Sequence, residues 1–252
     1  MQISKISTNN QTYKPNFQSN TRVFRDKYGK MLYRNTTNFF RDDLNWEQLG
    51  NFIKNKYKDT NKVNIYCYGC SDGSEPLSIA MLIRELFPNQ NNKFFPIIAK
   101  DIDSTMIYLA KTGQTEVDCT DYEMINKVTN NKFDKYIKAP KSLLGFNPIP
   151  AKINPELLKD IEFSVADIKE DLHTINPQNS IVFCRNFWPY ITPETEQIRL
   201  VNELSSRLKD NSTVIIGGFD KWANLNNLLQ TRYFKRAKDL PNVYETTIKT
   251  IW

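Results

Sequence analysis

The sequence predicts an α/β fold with a doubly wound, mostly parallel sheet of seven strands and a C-terminal antiparallel hairpin. Two observations support this prediction. Apolar runs typical of buried strands alternate with helical segments along most of the chain. In addition, Gly69, Asp101, Asp167 and Asn186 each follow directly on one of these apolar runs. Because ligands bind at the carboxyl ends of parallel strands, this convergence indicates one site at one edge of the sheet.

The composition is ordinary for a globular protein. The chain has 252 residues, of which 40% are hydrophobic and 25% are charged, which suffices for one sizeable core. No apolar run approaches the roughly 20 residues of a membrane span, and residues 1–20 lack the apolar core of a signal peptide. We therefore expect a cytoplasmic protein without membrane insertion. The net charge of +6 would suit an acidic partner, although a lysine-rich surface is the simpler explanation of it.

The chain divides into two regions by its patterning. Residues 1–34 are polar and lack periodicity, so we expect a flexible arm there, with order only around Val23 and Phe24. Residues 35–252 carry the alternating pattern and form the predicted domain. Within that domain, the segment 139–160 contains four prolines, so we interpret it as an insertion outside the core sheet.

Individual elements follow from periodicity and from helix-end signals. A helix capped by Asp42 or Asp43 is expected to bury Leu44, Trp46, Leu49, Phe52 and Ile53. Gly113 is the expected end of another helix. Strands are predicted at 63–68, 94–100, 161–165, 180–184, 212–218, 232–236 and 242–251. Further helices are predicted at 75–87, 104–112, 121–128, 131–137, 193–208 and 222–231.

The turn after the first core strand restricts the cofactor class. Its spacing is Gly69-x-x-x-Gly73 rather than G-x-G-x-x-G, and Asp72 and Glu75 place negative charge where a pyrophosphate would lie. No G-x-x-x-x-G-K-[ST] sequence follows any strand, which disfavours nucleoside triphosphates. S-adenosylmethionine has adenosine at one end and carries a sulfonium and an ammonium group, which acidic turn residues favour. Asp101 at the end of the next strand would take the ribose hydroxyls.

Metal and redox sites are not expected. Cys67 and Cys70 form a C-x-x-C pair, but this pair coincides with the glycine turn, and Cys119 and Cys184 supply no second pair. His173 is the single histidine, and its polar context is typical of a solvated loop. We therefore predict no metal site and no serine-histidine chemistry.

Four motifs in register resemble those of the CheR-type methyltransferases, the S-adenosylmethionine-dependent protein-glutamate O-methyltransferases of bacterial chemotaxis. Their family patterns are N-x-T-x-F-F-R, S-[ST]-G-E-E-P-Y-S, D-I-D and F-C-R-N-x-x-x-Y. The resemblance covers residues 35–220 and implies a Rossmann-like methyltransferase sheet. The corresponding stretches are Asn35 to Asp42, Cys70 to Ser78, Asp101 to Asp103 and Phe183 to Tyr190.

The resemblance also implies roles for individual residues. Arg41 would hold an acceptor carboxylate by its bidentate geometry, and Tyr190 would orient it. Arg185 and Asn186 would line the loop beneath the acceptor. The residues implied in cofactor binding are Asn35, Thr37, Gly69, Glu75, Asp101, Asp167 and Asn186.

Structural alternatives remain open for several of these residues. Arg41 could form a surface ion pair, Tyr190 could pack in the core, and Arg185 could be held in a salt bridge. Asp167 could bind the adenine amino group or simply end its strand. Asp103 is the better candidate to cap the helix that begins near residue 104, which leaves Asp101 for the ribose.

The chain departs from the family pattern in the parts that would recognise a receptor. Only the short polar arm precedes the first motif, where chemotaxis members carry a basic helical domain. The family's G-H-S-E reads Gly217 to Asp220 here, and the 139–160 insertion is broken by prolines where a small β-subdomain is expected. We therefore expect a monomer that methylates a glutamate carboxylate on an acidic protein other than a standard chemoreceptor.

Two other function classes remain possible. The stretch from Asn186 to Tyr190 is one residue longer than the N-P-P-Y loop of amino-methyltransferases, and the pI is about 9.0, so an N-methyltransferase acting on nucleic acid or protein is one alternative. No arginine- or lysine-dense helix supports a nucleic-acid partner. The other alternative is a non-catalytic adaptor that binds the cofactor.

Overall fold

The computed structural model describes residues 21–25, 31–223, 225, 229–230 and 234–247. The strands are β1 (Thr21–Arg25), β2 (Met31–Thr36), β3 (Asn64–Tyr68), β4 (Ile97–Asp101), β5 (Gln114–Val117), β6 (Ile137–Lys138), β7 (Ile149–Ile153), β8 (Ile161–Val165), β9 (Ser180–Cys184), β10 (Thr213–Ile216), β11 (Phe234–Arg236) and β12 (Val243–Thr246). The α-helices are α1 (Trp46–Lys56), α2 (Ser74–Leu86), α3 (Asn91–Phe94), α4 (Ser104–Thr112), α5 (Cys119–Thr129), α6 (Phe133–Tyr136), α7 (Pro155–Leu158), α8 (Ile168–Asp171) and α9 (Glu194–Arg207). Short 3-10 helices cover Lys141–Leu143, Leu172–Thr174, Trp188–Tyr190 and Phe219–Ala223.

The central sheet has seven strands in the order β11-β12-β10-β9-β3-β4-β8. Its strands from β10 to β8 are parallel, whereas β12 lies antiparallel between β10 and β11. This topology confirms the predicted doubly wound sheet with its C-terminal antiparallel hairpin. The chain proceeds from β3 outward through β4 to β8 and then returns to β9 on the other side of β3. Strands β3 and β9 therefore flank the switch point, where ligands bind in such sheets.

Apolar side chains fill both faces of this sheet. Successive residues of a strand point to opposite faces, so Ile65 and Cys67 belong to one buried cluster, whereas Tyr66 and Tyr68 belong to the other. The first cluster includes side chains of α1, α2, α4 and α5, and the second includes those of α9. The sheet is thus covered by helices on both faces, as its largely parallel pairing requires.

Local end signals predicted several boundaries correctly. The Asp103 side chain accepts hydrogen bonds from the backbone N–H groups of Thr105 and Met106, so it caps α4 as expected. Helix α4 ends at Gly113, which adopts the predicted left-handed conformation with φ +66°. The second core strand begins at Ile97, later than predicted, because Pro96 cannot donate a ladder hydrogen bond.

Near the N-terminus the structure differs from two expectations. Val23 and Phe24, where order was expected, lie in β1, but Thr21–Arg25 also pairs with Met31–Thr36 as an antiparallel hairpin, so order in the predicted arm extends beyond those two residues. Helix α1 is capped by Asn45, whose side chain accepts from the backbone N–H of Gln48, and not by Asp42 or Asp43. Residues 1–20 and half of the predicted helix at 222–231 lie outside the described residues.

A small separate sheet, which the sequence analysis did not predict, is formed by β5, β7 and β6 in that order. The backbone N–H of Ile153 points toward β5, where it donates to Gly113. Because direction alternates along a strand, the ring nitrogen of Pro150 faces the β6 side. The β6 ladder has already ended there, at Lys138 and Lys152. The proline therefore costs no ladder hydrogen bond, and the 139–160 segment contributes a strand despite its prolines.

Among the described residues, no helix combines the length and the apolar character that crossing a lipid bilayer requires.

Gly113→Ala should lower the free energy of unfolding by at least about 1–2 kcal/mol, the cost of a left-handed conformation with a Cβ atom. The added Cβ would also lie 2.5 Å from Leu158 Cδ1. Chemical denaturation measures the loss. Gly145→Ala is the matched control, because a Cβ there meets nothing within 4 Å. Equal stability of the two variants would contradict this account of the helix end.

Candidate functional site

A cavity of about 380 Å³ opens at the carboxyl ends of β3, β4, β8 and β9. This volume lies within the range of small-molecule sites. Nine of the ten predicted site residues line the cavity: Thr37, Arg41, Gly69, Glu75, Asp101, Asp167, Arg185, Asn186 and Tyr190. The tenth, Asn35, lies on β2, and its side chain is outside the described part of the structure.

The glycine turn after β3 packs closely against the ring of Phe187. Gly69 adopts a left-handed conformation with φ +68°, and a Cβ there would lie 2.7 Å from the Phe187 ring. The backbone N–H of Cys70 donates to the Lys100 carbonyl, which ties the turn to the neighbouring strand β4. Glycine is therefore required for close packing as well as for the backbone conformation.

Asp101 holds the turn from the end of β4. Its carboxylate accepts from the backbone N–H of Ser71 and from that of Asp103, both at 2.8 Å. Burial raises the pKa of Asp101, which is 7% exposed. Because each carboxylate oxygen accepts more than one hydrogen bond, Asp101 can hold the turn and also bind a hydroxyl group in the cavity.

Asp167 follows β8 and caps the short helix α8 by accepting from the backbone N–H of Lys169 at 2.9 Å. The residues around it, Ala166 and Ile168, also line the cavity, together with Ile102 after β4. These apolar wall residues were not predicted from the sequence. They could have been predicted from their position in the sequence, directly beside the acidic residues at the ends of β4 and β8.

A buried ion triad forms the floor of the cavity. The guanidinium of Arg185, which is 4% exposed, donates to Glu75 at 2.9 Å and also to Asp43. It lies over the Trp46 ring, 5.4 Å from the ring centroid. The salt-bridge alternative therefore describes Arg185 better than a substrate-orienting role does.

Charge and burial act differently on the two carboxylates of the triad. Burial raises the pKa of Glu75, although Arg185 opposes this effect. For Asp43, burial also acts to raise the pKa, but Arg185 and the N–H of Gly218 outweigh it, so the pKa of Asp43 is lowered. Asp43, which the sequence analysis treated as a helix cap, is thus an ionised anchor for Arg185.

The loop after β9 depends on two glycines. Asn186 donates from Nδ2 to Asp43 at 3.0 Å, and its Oδ1 accepts from the backbone N–H of Phe219. A Cβ on Gly217 would lie only 2.0 Å from Asn186 Oδ1, and a Cβ on Gly218 would lie 3.1 Å from Asp43 Cβ. The Gly217-Gly218 pair therefore leaves room for the side chains that orient Asn186.

Arg41 and Tyr190 belong to the same cavity lining, and the positive charge of Arg41 acts to lower the pKa of both Asp43 and Glu75. The backbone carbonyl of Arg41 accepts from Trp46 Nε1 at 3.0 Å. The Tyr190 ring lies 5.8 Å from the ring of Phe219, and its hydroxyl has no hydrogen-bond partner among the described residues. Since Arg41 and Tyr190 both line the cavity and Tyr190 is not buried in the core, the core-packing alternative for Tyr190 is wrong.

Two further carboxylates hold the backbone of the segments that carry these residues. Asp121 accepts from the backbone N–H of Phe39 at 3.0 Å. Asp220 accepts from Asn186 at 2.7 Å and from Trp188 at 3.1 Å. Burial raises the pKa of both carboxyl groups to about 7, and the neighbouring Asp118 adds to the effect at Asp121.

The residues present fit S-adenosylmethionine. Glu75 and Asp101 supply the negative charge that a sulfonium and an ammonium favour, and Ile102 and Ile168 supply apolar surface for an adenine ring. Ser71 lines the cavity, and its buried Oγ has no hydrogen-bond partner within the described part of the chain. Such an orphaned hydroxyl is a natural contact for a polar ligand.

Comparisons with known proteins agree with this assignment. A family model described as "CheR methyltransferase, SAM binding domain" matches residues 35–237. A chemotaxis protein methyltransferase of Borreliella burgdorferi is 27% identical over 190 residues, which are 73% of this chain and 63% of that protein. The chemotaxis protein methyltransferase of Escherichia coli is 21% identical over 203 residues, covering 80% of this chain and 66% of that protein. The chain thus spans slightly less than two thirds of the length of these relatives.

One similar solved structure is that of magnesium protoporphyrin IX methyltransferase from Synechocystis PCC 6803 with bound S-adenosylmethionine. It is 13% identical, with a TM-score of 0.41 and coverage of 81% of this chain and 79% of that one.

Arg185→Met should lower the free energy of unfolding by about 3–5 kcal/mol, because it leaves Glu75 and Asp43 buried without their counter-charge. Denaturant titration measures the loss. Arg199→Met is the control, since Arg199 forms its two ion pairs on the exposed face of α9, and it should leave stability nearly unchanged. Equal losses in the two variants would show that burial of the triad is energetically unimportant.

The stability contribution of Asp121 should fall as the pH rises. Its folded pKa of about 7 lies above its unfolded value, so the native state binds the extra proton between these values. Relative to Asp121→Asn, the wild type should lose about 2–3 kcal/mol of unfolding free energy between pH 5 and pH 8. Denaturation curves of both proteins across this range give the difference. If the wild type instead gains stability relative to Asp121→Asn as the pH rises, the folded pKa of Asp121 is lowered and not raised.

Proposed function

The chain belongs to the CheR methyltransferase family, and we propose that it transfers a methyl group from S-adenosylmethionine to a carboxylate oxygen of an acidic protein. The observation that carries this proposal is the cavity at the switch point, whose lining combines the carboxylates of Glu75, Asp101 and Asp167 with the side chains of Arg41 and Tyr190. Residues 35–252 would form the transferase domain, acting as a cytoplasmic monomer.

We assign the cofactor to the end of the cavity formed by β3, β4 and β8. Asp101 would bind the ribose hydroxyls, Glu75 the amino-acid end, and Asp167 the adenine amino group. Thr37 and Asn35 would cover the cofactor from the N-terminal segment, while Gly69 and Asn186 would contribute backbone and amide contacts. When bound, the cofactor supplies an electrophilic methyl group on a sulfonium.

The chain itself has to align the acceptor rather than activate it. A glutamate side chain has a reference pKa of about 4.3, so it is already ionised at neutral pH and needs no general base. Arg41 would hold one or both carboxylate oxygens, and the Tyr190 hydroxyl would fix their orientation. Since in-line displacement depends on geometry, positioning is the main contribution of these two side chains.

The acceptor protein is proposed from charge and from the relatives. The chain carries a net charge of +6, and the Arg41 guanidinium in the cavity lining would favour an anionic acceptor. The relatives named above are chemotaxis protein methyltransferases. We expect the acceptor to be an acidic protein whose glutamates reach the Arg41 end of the cavity.

The bond formed distinguishes this proposal from nitrogen methylation. The purified protein, labelled S-adenosylmethionine and a lysate should yield labelled protein that releases volatile methanol at high pH, because mild alkali hydrolyses methyl esters. Protein boiled before incubation is the control for non-enzymatic labelling. Label that resists alkali would indicate an N-methyl product and favour the amino-methyltransferase interpretation of Asn186 to Tyr190.

Arg41→Ala and Tyr190→Phe should each lower turnover steeply while affinity for S-adenosylhomocysteine stays within a few-fold. Interactions made mainly in the transition state give this pattern. Initial rates of label transfer and calorimetry measure the two quantities. Normal turnover in both variants would mean that these side chains are structural.

Asp101→Ala should weaken S-adenosylhomocysteine binding by roughly 10- to 150-fold, which corresponds to hydrogen bonds of about 1.5–3 kcal/mol to a charged group. Asp103→Ala is the matched control two residues away. It removes the α4 cap, which should cost stability of about 1 kcal/mol and leave the affinity largely intact. Calorimetry that finds equal affinities for the two variants would remove Asp101 from the site.

A further inference from the structure

Both segments that carry the proposed acceptor-binding residues contain a non-glycine residue in the left-handed region. Phe40, directly before Arg41, has φ +48°, and Asn186, at the start of the loop that leads to Tyr190, has φ +64°. Asparagine tolerates this conformation better than most residues, whereas for a bulky aromatic residue such as Phe40 it is a clear outlier. Such backbone persists only where the surrounding structure fixes it, and it concentrates at functional sites.

On the Arg41 side, two buried groups from other elements fix the backbone. The N–H of Phe39 donates to Asp121 Oδ1 at 3.0 Å, and that of Phe40 donates to Ser78 Oγ at 2.9 Å. The Phe40 ring is fully buried and packs edge-on against Trp46. The strained turn is therefore held both through its backbone and through its ring.

Asp121 makes one hydrogen bond beyond those that cap helix α5. Its Oδ2 accepts from the backbone N–H of Asp118, and Asp118 accepts from the N–H of Asp121, which closes a capping box. That box uses only one oxygen of Asp121. The other oxygen reaches Phe39, 82 positions earlier in the chain. A side chain that is 2% exposed thus links the start of α5 to the Arg41 segment.

In the loop that leads to Tyr190, Asp220 holds the backbone as Asp121 does in the Arg41 segment. It is fully buried, and its Oδ2 accepts from the backbone N–H groups of Asn186 and Gly217, both at 2.7 Å. Its Oδ1 accepts from Trp188 at 3.1 Å. One carboxylate therefore joins the loop after β9 to the loop after β10 and fixes the left-handed turn at Asn186.

From this geometry we infer that Asp121 and Asp220 are positioning residues for methyl transfer, acting through Arg41 and through Tyr190 respectively. The inference rests on the proposed function, since it concerns the two residues assigned to the acceptor. Neither carboxylate lines the cavity, so neither is expected to touch the cofactor or the acceptor. Each sets the backbone from which an acceptor-binding side chain extends.

The first arm of the test measures the hydrogen bonds themselves and needs no enzymatic activity. In Asp121→Ala, amide hydrogen exchange at Phe39 should accelerate at least tenfold, because its acceptor is lost. In Asp220→Ala, exchange should accelerate at Asn186 and Trp188. Asp118→Ala is the matched control, since it breaks the same capping box and leaves the Phe39 acceptor in place. It should leave exchange at Phe39 close to that of the wild type.

The second arm measures transfer of labelled methyl groups to lysate protein and calorimetric binding of S-adenosylhomocysteine. Asp121→Ala and Asp220→Ala should lower the transfer rate on the order of 100-fold, the scale of a misplacement of about 1 Å. Affinity for S-adenosylhomocysteine should change only a few-fold in Asp121→Ala, whereas Asp220→Ala should also weaken it, because Asp220 fixes the backbone of Asn186, which is assigned to the cofactor. Asp121→Asn keeps one acceptor oxygen and should recover part of the rate.

Coupling to the acceptor-binding residues separates positioning from general loss of structure. Asp121→Ala should add no further loss to Arg41→Ala, and Asp220→Ala should add none to Tyr190→Phe, because each pair acts as a unit. Additive losses, or an equal rate loss in Asp118→Ala, would overturn the inference. A wild-type protein that transfers no methyl group would instead contradict the proposed function, and the exchange results would still show whether the two carboxylates hold these segments.

Discussion

The structure of the site depends on one buried charge, the guanidinium of Arg185. Removing a guanidinium from water costs several kcal/mol, and only well-placed carboxylates offset this cost. One carboxylate, Glu75, comes from the first turn of α2, and the other, Asp43, follows the Arg41 segment. The glycine turn, the N-terminal segment and the loop after β9 therefore cannot move apart without exposing an uncompensated charge. Three walls of the cavity are fixed by this one requirement.

The two ends of the cavity are built in different ways. The cofactor end consists of strand ends and helix caps, where Asp101, Asp103 and Asp167 bond to N–H groups within a few residues or on the adjacent strand. The acceptor end consists of loops, and Phe40 and Asn186 lie in left-handed conformations there. Local geometry suffices for the first end. The second end needs contacts between distant parts of the chain, because loops alone do not maintain a strained backbone.

This difference explains what the sequence could predict. The left-handed end of α4 at Gly113 and the cap at Asp103 follow from signals in neighbouring residues, and both were predicted. The turn at Gly69 was predicted from a glycine directly after a strand, but its packing against Phe187 was not. Asp43 was misassigned as a cap, because its partners Arg185 and Gly218 lie 142 and 175 positions away. Asp121 and Asp220 were missed for the same reason. The small sheet was missed because a proline is harmless only beyond the end of a ladder, and that register is not visible in one sequence.

Charge also accounts for the importance of Arg41. The floor of the cavity carries two carboxylates against one guanidinium, and Asp101 adds further negative charge at the cofactor end. Such a surface suits a cationic ligand and repels phosphates, which agrees with the non-dinucleotide spacing of the glycine turn. An acceptor carboxylate entering the same cavity meets an unfavourable field except where Arg41 compensates it. A displacement of this guanidinium would leave the acceptor carboxylate without its compensating charge. The buried contacts behind Phe39 and Phe40 therefore matter for the acceptor, although none of them reaches it.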